Sequence, residues 1–228
     1  MKKLIRIFGV IVVIGILGAA IIASMVKPSN ADMVWDEKTT VGKLDAKNYF
    51  IIYSDIMCPY CVAFENAIFE NEEAFDTYIE ENDILVEVRL SDFLYQYGES
   101  RAINSRYSAV AAYCAKNEGK FWDYYKKAIT TVWNDFFKKL GKSAFTELNT
   151  KDKGYWISLG EDLDLSDEFK ACVLNDDPLD EIIVNAEKTA KLAKGMPFFK
   201  FNKFTSSGFS LSGNWSDVLM FFKAGLDS

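Results

Sequence analysis

Histidine is absent from the 228-residue sequence. Without imidazole, Ser/His and Cys/His nucleophilic catalysis and every His-ligated metal site are excluded. Basic residues are also scarce: 26 Lys and Arg face 33 Asp and Glu, and the resulting net charge of −7 excludes a strongly basic nucleic-acid-binding surface. The remaining composition, 50% hydrophobic and 26% charged, is typical of a globular chain with one domain or two small ones.

An uncharged run of 20 residues, 7–26, lies near the N-terminus. A helix of about 20 apolar residues spans a bilayer. Three basic residues precede the run and Lys27 follows it, so the positive-inside rule predicts a cytoplasmic N-terminus and an exported remainder. The alternative is a signal peptide, cleaved at the small residues 29–31. We therefore expect residues 1–31 to form a membrane anchor or signal peptide with a linker, and residues 32–228 to form the exported domain.

The pattern of the exported part predicts a β-α-β unit at its start. Residues 49–53 are aromatic and β-branched and indicate a buried strand, and residues 84–90 indicate a second strand. A helix is predicted between them, from Val62 to about Phe75. This order favours a parallel strand pair with a right-handed crossover.

The second half of the chain is predicted to be helical and then to end as β-β-α. The last helix of the long helical block is expected to have Asp177 as its N-cap and Pro178 at its first position. A strand over residues 197–202, a turn and a partner strand over residues 209–212 are expected to form a hairpin. Asn214 or Ser216 is expected to cap the closing helix. The apolar face predicted for the last helix of the block comprises Leu179, Ile182, Ile183, Ala186, Ala190 and Ala193.

Two cysteines, Cys58 and Cys61, flank the dipeptide Pro59-Tyr60 between the first predicted strand and the helix. At a helix start, free backbone N–H groups and the helix dipole favour the thiolate of Cys58. Cys61 follows one turn later, within reach of a disulfide with Cys58. We expect Cys58 to be the exposed, attacking sulfur and Cys61 to resolve the mixed disulfide.

Other roles for this pair are less well supported. A structural zinc site needs a second ligand pair, whereas Cys114 and Cys172 are isolated and histidine is absent. A purely structural disulfide between Cys58 and Cys61 would close too small a loop to stabilise the fold much. A C-x-x-C motif beside a β-α-β pattern is instead typical of redox proteins. We expect no metal and no cofactor.

The sequence resembles the DsbA family of exported thiol:disulfide oxidoreductases, in the branch typical of membrane-anchored bacterial members. The matching segments are residues 54–61 (SDIMCPYC), 111–124 (AAYCAKNEGKFWDY), 168–173 (EFKACV) and 195–199 (GMPFF). The resemblance covers the chain from about residue 47 to residue 225. It implies a thioredoxin-like α/β fold, β-α-β … β-β-α, with an inserted α-helical domain at about residues 99–176.

The resemblance also implies site residues. Cys58 would be the nucleophile and Cys61 the resolving cysteine. Pro197 would form a cis peptide bond with Met196 and bring a backbone edge beside Cys58, where a substrate can pair. The alternative is a trans proline that starts an edge strand. Together with Pro59 and Tyr60, these residues complete the expected active-site loops.

The chain departs from this family at three positions. Tyr60 stands where strongly oxidising members have His, so the thiolate has no neighbouring cation and the disulfide is expected to be less oxidising. Met196 replaces a smaller residue before the proline. Ile52 occupies the position where several thioredoxin-like proteins have a buried acid, so another group must manage the resolving proton. Asp55 is the nearest carboxylate, and we expect it to be a solvated loop residue.

The other two cysteines, Cys114 and Cys172, fall in two predicted helices of the inserted block. Export and the family resemblance favour a structural disulfide between them, worth about 4 kcal/mol in the chain-entropy model. The alternative is two free buried thiols. The aromatic residues of this block are expected to be mostly core, with a minority lining an apolar groove near Cys58. These aromatics are Phe121, Trp122, Tyr124, Tyr125, Trp133, Phe136 and Phe137.

These observations predict an exported oxidoreductase that donates the Cys58–Cys61 disulfide to substrate proteins. Its expected partners are reduced or misoxidised exported proteins and an integral-membrane, quinone-linked oxidase. Its expected location is the bacterial cell membrane, as a single-pass protein with an extracytoplasmic domain, or outside the cell after cleavage. The alternatives are a reductase or isomerase fed by a membrane electron donor, and a redox-inert tethered binding or chaperone module.

Overall fold

The structure is a computed structural model that describes residues 35–98, 102–193, 195–209 and 213–227. The membrane anchor or signal peptide expected in residues 1–31 lies outside the described residues. Among the helices that the structure describes, none is long and apolar enough to cross a membrane.

A mixed five-stranded sheet forms the centre of the domain. Its strands are β1 (Thr40–Val41), β2 (Asn48–Ser54), β3 (Ile84–Leu90), β4 (Phe198–Phe201) and β5 (Phe204–Ser207). They lie in the order β1-β3-β2-β4-β5. β2 and β3 are parallel, as the β-α-β pattern predicts, and the other pairs are antiparallel. The predicted α/β class and its strand–helix–strand unit are therefore confirmed.

Helices cover the sheet and fill the long connection between β3 and β4. They are α1 (Pro59–Phe69), α2 (Glu72–Glu81), α3 (Phe93–Gln96), α4 (Ile103–Asn117), α5 (Phe121–Thr131), α6 (Lys138–Leu140), α7 (Ala144–Leu148), α8 (Lys153–Glu161), α9 (Asp167–Asn175), α10 (Leu179–Leu192) and α11 (Trp215–Leu226). One turn of 3₁₀-helix, Glu37–Thr39, precedes β1, and a second, Gly141–Ser143, precedes α7. A π-helical turn, Val132–Phe137, separates α5 from α6.

The single helix predicted from Val62 to about Phe75 is wrong, because the chain forms two helices there. Asn71 lies between them with φ −129° and ψ 38°, outside the helical region. Its side-chain amide donates to the carbonyl of Ala67 at 2.9 Å, which satisfies an otherwise free carbonyl at the end of α1. The apolar periodicity continues across the break and therefore hides it.

The predicted hairpin is also misplaced. Phe201 pairs with Phe204, so the turn consists of Asn202 and Lys203, and the partner strand lies five residues earlier than predicted. Asn202 adopts φ +48°, which asparagine tolerates better than most residues, and its side chain accepts a hydrogen bond from the Tyr49 amide at 3.0 Å. Of the partner strand predicted at residues 209–212, residues 210–212 lie outside the described residues.

Helix α10 begins one residue later than predicted, and Pro178 is its N-cap. Of its predicted apolar face, Ile182 and Ala186 are buried, together with the polar Asn185 and Thr189. Asn185 donates to the carbonyl of Leu90 at 3.0 Å, which ties the end of the helical block to the end of β3. Two polar residues, Asn185 and Thr189, are therefore buried in addition to the predicted apolar face.

Aromatic rings fix the first helix over the sheet. Phe64 on α1 packs on Phe199 of β4 with ring centroids 4.7 Å apart, and Phe50 of β2 lies 4.5 Å from Phe222 of α11. Aromatic pairs at these separations add to the area that they bury. The middle of α1 is thus held against β4.

Candidate active site

The segment 54–61 places a cysteine at a helix N-terminus. β2 ends at Ser54, and Cys58 is the N-cap of α1 with extended backbone angles, φ −85° and ψ 116°. Pro59 occupies the first helical position, where its missing N–H costs no hydrogen bond. The carbonyl of Cys58 accepts the first helical hydrogen bond from Val62, at 3.0 Å. Cys58 therefore lies where backbone N–H groups and the helix dipole stabilise an anion.

Both thiols are free in the structure, and they differ in access. Cys58 keeps 4% of its surface exposed and Cys61 keeps none. The sequence predicted an exposed Cys58, and the structure places it almost wholly under its neighbours. Burial raises the pKa of the Cys61 thiol well above its ordinary value, and a hydrogen bond with Cys58 raises it further. Cys61 is thus held as a thiol beside the more accessible sulfur.

The Met196–Pro197 peptide bond is cis. Phe198, the next residue, pairs with Tyr53 across the β2–β4 register, which places Pro197 beside the end of β2. The carbonyl of Pro197 accepts a hydrogen bond from Gly208 at 2.8 Å. Met196 and Pro197 therefore lie at the C-terminal end of β2, which is the end of the sheet where the loop to Cys58 begins.

Asp55 is fully buried, so the expectation of a solvated loop residue is wrong. Its carboxylate accepts hydrogen bonds from the Met57 amide at 2.9 Å, the Leu94 amide at 2.8 Å and the Ser105 hydroxyl at 2.6 Å. Burial nevertheless raises its pKa from 3.8 to about 6. Asp55 thus connects the cysteine loop to α3 and α4, and these distant donors are not visible in the local sequence.

Glu65 is a second buried acid near the cysteine motif, and it was not among the site residues predicted from the sequence. Its side chain is 2% exposed, and neither carboxyl oxygen has a hydrogen-bond partner among the described residues. Burial raises its pKa from 4.5 to about 8; the nearby hydroxyls of Tyr125 and Ser54 oppose the shift without reaching hydrogen-bond geometry, and Asp55 adds to it. A sequence signal existed, since Glu65 is the single charged residue of α1, whose residues from Cys61 to Ile68 are all buried.

An apolar cavity of about 450 Å³ lies beside the cysteine motif. Pro59 forms part of its wall, and Trp133 and Phe137 from the π-helical turn form another part. A Cβ atom at Gly213 would lie 3.1 Å from the ring of Trp133, so the glycine allows the two segments to approach closely. Of the seven aromatics predicted as core or groove, Trp133 and Phe137 are the two that line this cavity. Tyr60, next to Pro59, is 43% exposed.

The second cysteine pair is bonded and lies in the helical block. Cys114 of α4 and Cys172 of α9 form a disulfide with S–S 2.04 Å and Cα–Cα 5.8 Å. Both residues are buried. The bond joins two helices whose cysteines are 58 positions apart in sequence.

A β-α-β unit with a cysteine pair at the helix start, beside a cis-proline at the start of an antiparallel strand, defines a thioredoxin fold. Consistent with this class, a sequence profile described as Thioredoxin matches residues 36–198. The match spans more than half of the chain, which therefore belongs to the thioredoxin family.

Solved structures share this fold. One is the thiol-disulfide exchange protein alpha-DsbA2 from Wolbachia pipientis, with a TM-score of 0.55, 14% identity and coverage of 86% of this chain and 88% of that chain. A protein-disulfide isomerase from Novosphingobium aromaticivorans has a TM-score of 0.58 at 14% identity, over 83% and 97% of the two chains. The disulfide bond oxidoreductase DsbG from Mycobacterium tuberculosis, in its reduced form, has a TM-score of 0.54 at 13% identity, over 88% and 91%. These neighbours confirm the predicted thioredoxin-like fold with added helices, whereas no curated protein matches the chain.

Proposed function

We propose that this chain is an exported protein thiol:disulfide oxidoreductase that donates the Cys58–Cys61 disulfide to reduced substrate proteins. The observation that carries the proposal is the position of Cys58 at the N-cap of α1, with Cys61 buried one turn later. The cis peptide bond before Pro197 lies at the same end of the sheet as the loop that leads to Cys58. In this arrangement Cys58 is the catalytic nucleophile and Cys61 the resolving cysteine.

The proposed exchange proceeds in two steps. A substrate thiolate attacks the sulfur of Cys58, the Cys58–Cys61 bond breaks, and Cys61 leaves with the electron pair. A second substrate thiolate then attacks the substrate sulfur of the mixed disulfide and releases Cys58. The substrate is oxidised by two electrons, and the Cys58–Cys61 pair is reduced by two. Stabilisation of the Cys58 thiolate by the helix N-terminus favours the second step.

The substrate class follows from the surface around the motif. Unfolded polypeptides expose apolar side chains, and the cavity walled by Pro59, Trp133 and Phe137 offers an apolar surface next to Cys58. The exposed ring of Tyr60 extends that surface. We propose that reduced, incompletely folded exported proteins bind there, and that Met196 contacts them from the opposite loop.

Export supports an oxidising role. The Cys114–Cys172 disulfide is of the kind that persists outside the cytoplasm. The uncharged run at residues 7–26 is long enough to anchor the chain in the bacterial cell membrane, with the domain on the extracytoplasmic side. An integral-membrane, quinone-linked oxidase would then reoxidise the Cys58–Cys61 pair.

The second candidate is a reductase or isomerase that a membrane electron donor keeps reduced. Tyr60 favours it, because this side chain brings no cation to stabilise the Cys58 thiolate. The reduction potential of the Cys58–Cys61 pair separates the two candidates. A disulfide donor needs a potential well above that of thioredoxin, which is about −270 mV.

The test uses the full chain in detergent, equilibrated with glutathione buffers and then mixed with a reduced, unfolded two-cysteine polypeptide. We expect a potential well above that of thioredoxin and stoichiometric oxidation of the polypeptide, with a Cys58→Ser variant inactive. A potential near that of thioredoxin would support the reductase. Absence of exchange in either direction would leave only the redox-inert binding module.

A further inference from the structure

The buried carboxyl group of Glu65, which has no hydrogen-bond partner among the described residues, lies close to the resolving cysteine. Glu65 follows Cys61 by four residues on α1, so both side chains lie on the same face of this helix. The two groups interact electrostatically, since Glu65 is among the causes that raise the pKa of Cys61. An unpartnered buried carboxyl costs stability, and such a cost is often connected with function.

Two hydroxyl groups and a cavity lie next to Glu65. The hydroxyl of Tyr125 on α5 donates to the Ser54 hydroxyl at 3.3 Å, and both hydroxyls are close enough to affect the Glu65 pKa. A cavity of about 280 Å³ lies against Glu65 and Tyr125. It is large enough for water, whose volume in the liquid is about 30 Å³.

The strands that line this cavity contribute apolar residues, and the charged groups that face it come from the β2–α1 loop, α2 and α5. Asp55 in the β2–α1 loop raises the pKa of Glu65. At the cavity wall, α2 contributes two carboxylates and α5 contributes one carboxylate and one lysine. These four residues are Glu72, Asp76, Asp123 and Lys126. Lys126 forms an ion pair with Glu72, so the surface charge near the cavity is mainly negative and does not favour ionisation of Glu65.

We propose that Glu65 is the group that exchanges a proton with Cys61 during disulfide transfer, in place of an acid at the Ile52 position. This inference rests on the proposed function. When a substrate thiolate breaks the Cys58–Cys61 bond, Cys61 leaves as a thiolate and takes the proton of the Glu65 carboxyl. In the reverse direction, Cys61 gives its proton to the Glu65 carboxylate, attacks the Cys58 sulfur and displaces the partner as a thiolate.

The protonation state of Glu65 fits this role. With a pKa of about 8, Glu65 carries its proton at neutral pH and can donate it. The Cys61 thiol holds its proton more tightly, so the transfer to the Cys61 thiolate is downhill. Asp55, with a pKa of about 6, is largely ionised at neutral pH and accepts three hydrogen bonds, so it is the poorer proton donor.

In the first arm of the test, the reduced full chain is mixed with glutathione disulfide to form a Cys58–glutathione mixed disulfide. The rate at which Cys61 resolves this mixed disulfide is then measured as a function of pH. In the wild type we expect an inflection near pH 8, where Glu65 becomes able to accept the Cys61 proton. Glu65→Gln should lose the inflection and resolve about 100-fold more slowly at pH 8, a typical contribution of a positioned acid or base. Glu65→Asp should keep an inflection, and Glu70→Gln, at the exposed end of the same helix, should match the wild type.

The same profile can overturn the proposal. If Glu65→Gln resolves the mixed disulfide at the wild-type rate, or more slowly by one constant factor at every pH, Glu65 has a structural role alone. If the wild-type chain transfers no disulfide at all, the proposed function fails and not merely the role of Glu65.

A second arm does not depend on activity or on the folding of the variant. Infrared spectra of the wild-type chain should contain the C=O stretch of a protonated carboxyl at pH 7, and this band should disappear as the pH rises through about 8. A chain with no such band at pH 7 would contradict the proposal, because Glu65 would then have no proton to give.

Discussion

The two cysteine pairs of this chain use the same residue type for opposite purposes. Cys58 and Cys61 lie one helical turn apart at the start of α1, and both are free thiols. Cys114 and Cys172 lie in two different helices, 58 positions apart, and are bonded. The first pair closes too small a loop to stabilise the fold much, whereas the second constrains a long segment of the unfolded chain.

Position along the helix separates the pairs as clearly as loop length does. Cys58 caps the N-terminus of α1, where the helix dipole favours a thiolate. Cys114 lies near the C-terminal end of α4, where the dipole disfavours an anion. Two buried acids, Asp55 and Glu65, lie near the first pair. The helix N-terminus and the neighbouring acids therefore determine the reactivity of the first pair. The number of residues between the two cysteines determines how much the second disulfide stabilises the fold.

Removal of either active-site sulfur should produce the largest effect. Cys58→Ser should abolish disulfide transfer, because the remaining thiol, Cys61, is fully buried and cannot meet the substrate. Cys61→Ser should still react with a substrate disulfide through Cys58 but stop at the mixed disulfide. Mass spectrometry of acid-quenched reactions distinguishes the two outcomes. Trapping through Cys61 in the Cys58→Ser chain would reverse the assigned roles.

Removal of the second pair should change stability and spare the chemistry. The double variant Cys114→Ala, Cys172→Ala should lose about 4 kcal/mol of unfolding free energy, which corresponds to a Tm lower by about 10 °C in a domain of this size. Its transfer rate to a reduced polypeptide, measured well below Tm, should equal that of the wild type. An impaired rate with an unchanged Tm would mean that this pair takes part in the reaction.

Local patterns were sufficient to predict much of this architecture. The aromatic and β-branched runs identified β2 and β3, and the C-x-x-C spacing placed Cys58 at a helix start, because each signal lies within a few neighbouring residues. The resemblance implied the cis bond before Pro197 and the disulfide of the helical block, and the structure has both.

The failures involve contacts between residues far apart in sequence. Asp55 looked solvated because two of its donors, Leu94 and Ser105, lie 39 and 50 positions away. Glu65 escaped notice because its burial depends on α5 and the sheet as well as on its own helix. The hairpin was misplaced because Asn202-Lys203 lacks the glycine typical of a two-residue turn, while Tyr49 on a distant strand stabilises that turn.

The acids around the first pair should make stability depend on pH. Because burial raises the pKa of Glu65 from 4.5 to about 8, the folded state holds its proton more tightly than the unfolded state does. The free energy of unfolding should therefore fall as pH rises from about 4.5 to about 8, by about 4 kcal/mol from this residue. Glu65→Gln should flatten this part of the curve in urea titrations, and Glu70→Gln should not. A curve for Glu65→Gln that follows the wild type would show that the carboxyl is ionised in the folded state.

The smallest expected effect concerns the dipeptide between the active-site cysteines. Oxidising power rises as the reduced form, with its Cys58 thiolate, is stabilised relative to the disulfide. The N-terminus of α1 supplies part of that stabilisation, whereas Tyr60 supplies no positive charge. Tyr60→His should therefore make the disulfide more oxidising by about 30 mV, or about 1.4 kcal/mol, at a pH where the imidazole is protonated. Glutathione equilibration measures the potential.

A matched control variant separates the effect of charge at this position from the effect of side-chain shape. Tyr60→Phe preserves the size of the ring and adds no cation, so its potential should equal that of the wild type. The Tyr60→His effect should shrink as pH rises above the ordinary imidazole pKa of about 6.5, because the neutral ring no longer attracts the thiolate. An equal shift in Tyr60→Phe, or a Tyr60→His shift that does not change with pH, would mean that the residue acts by its shape and that the helix N-terminus alone sets the charge at Cys58.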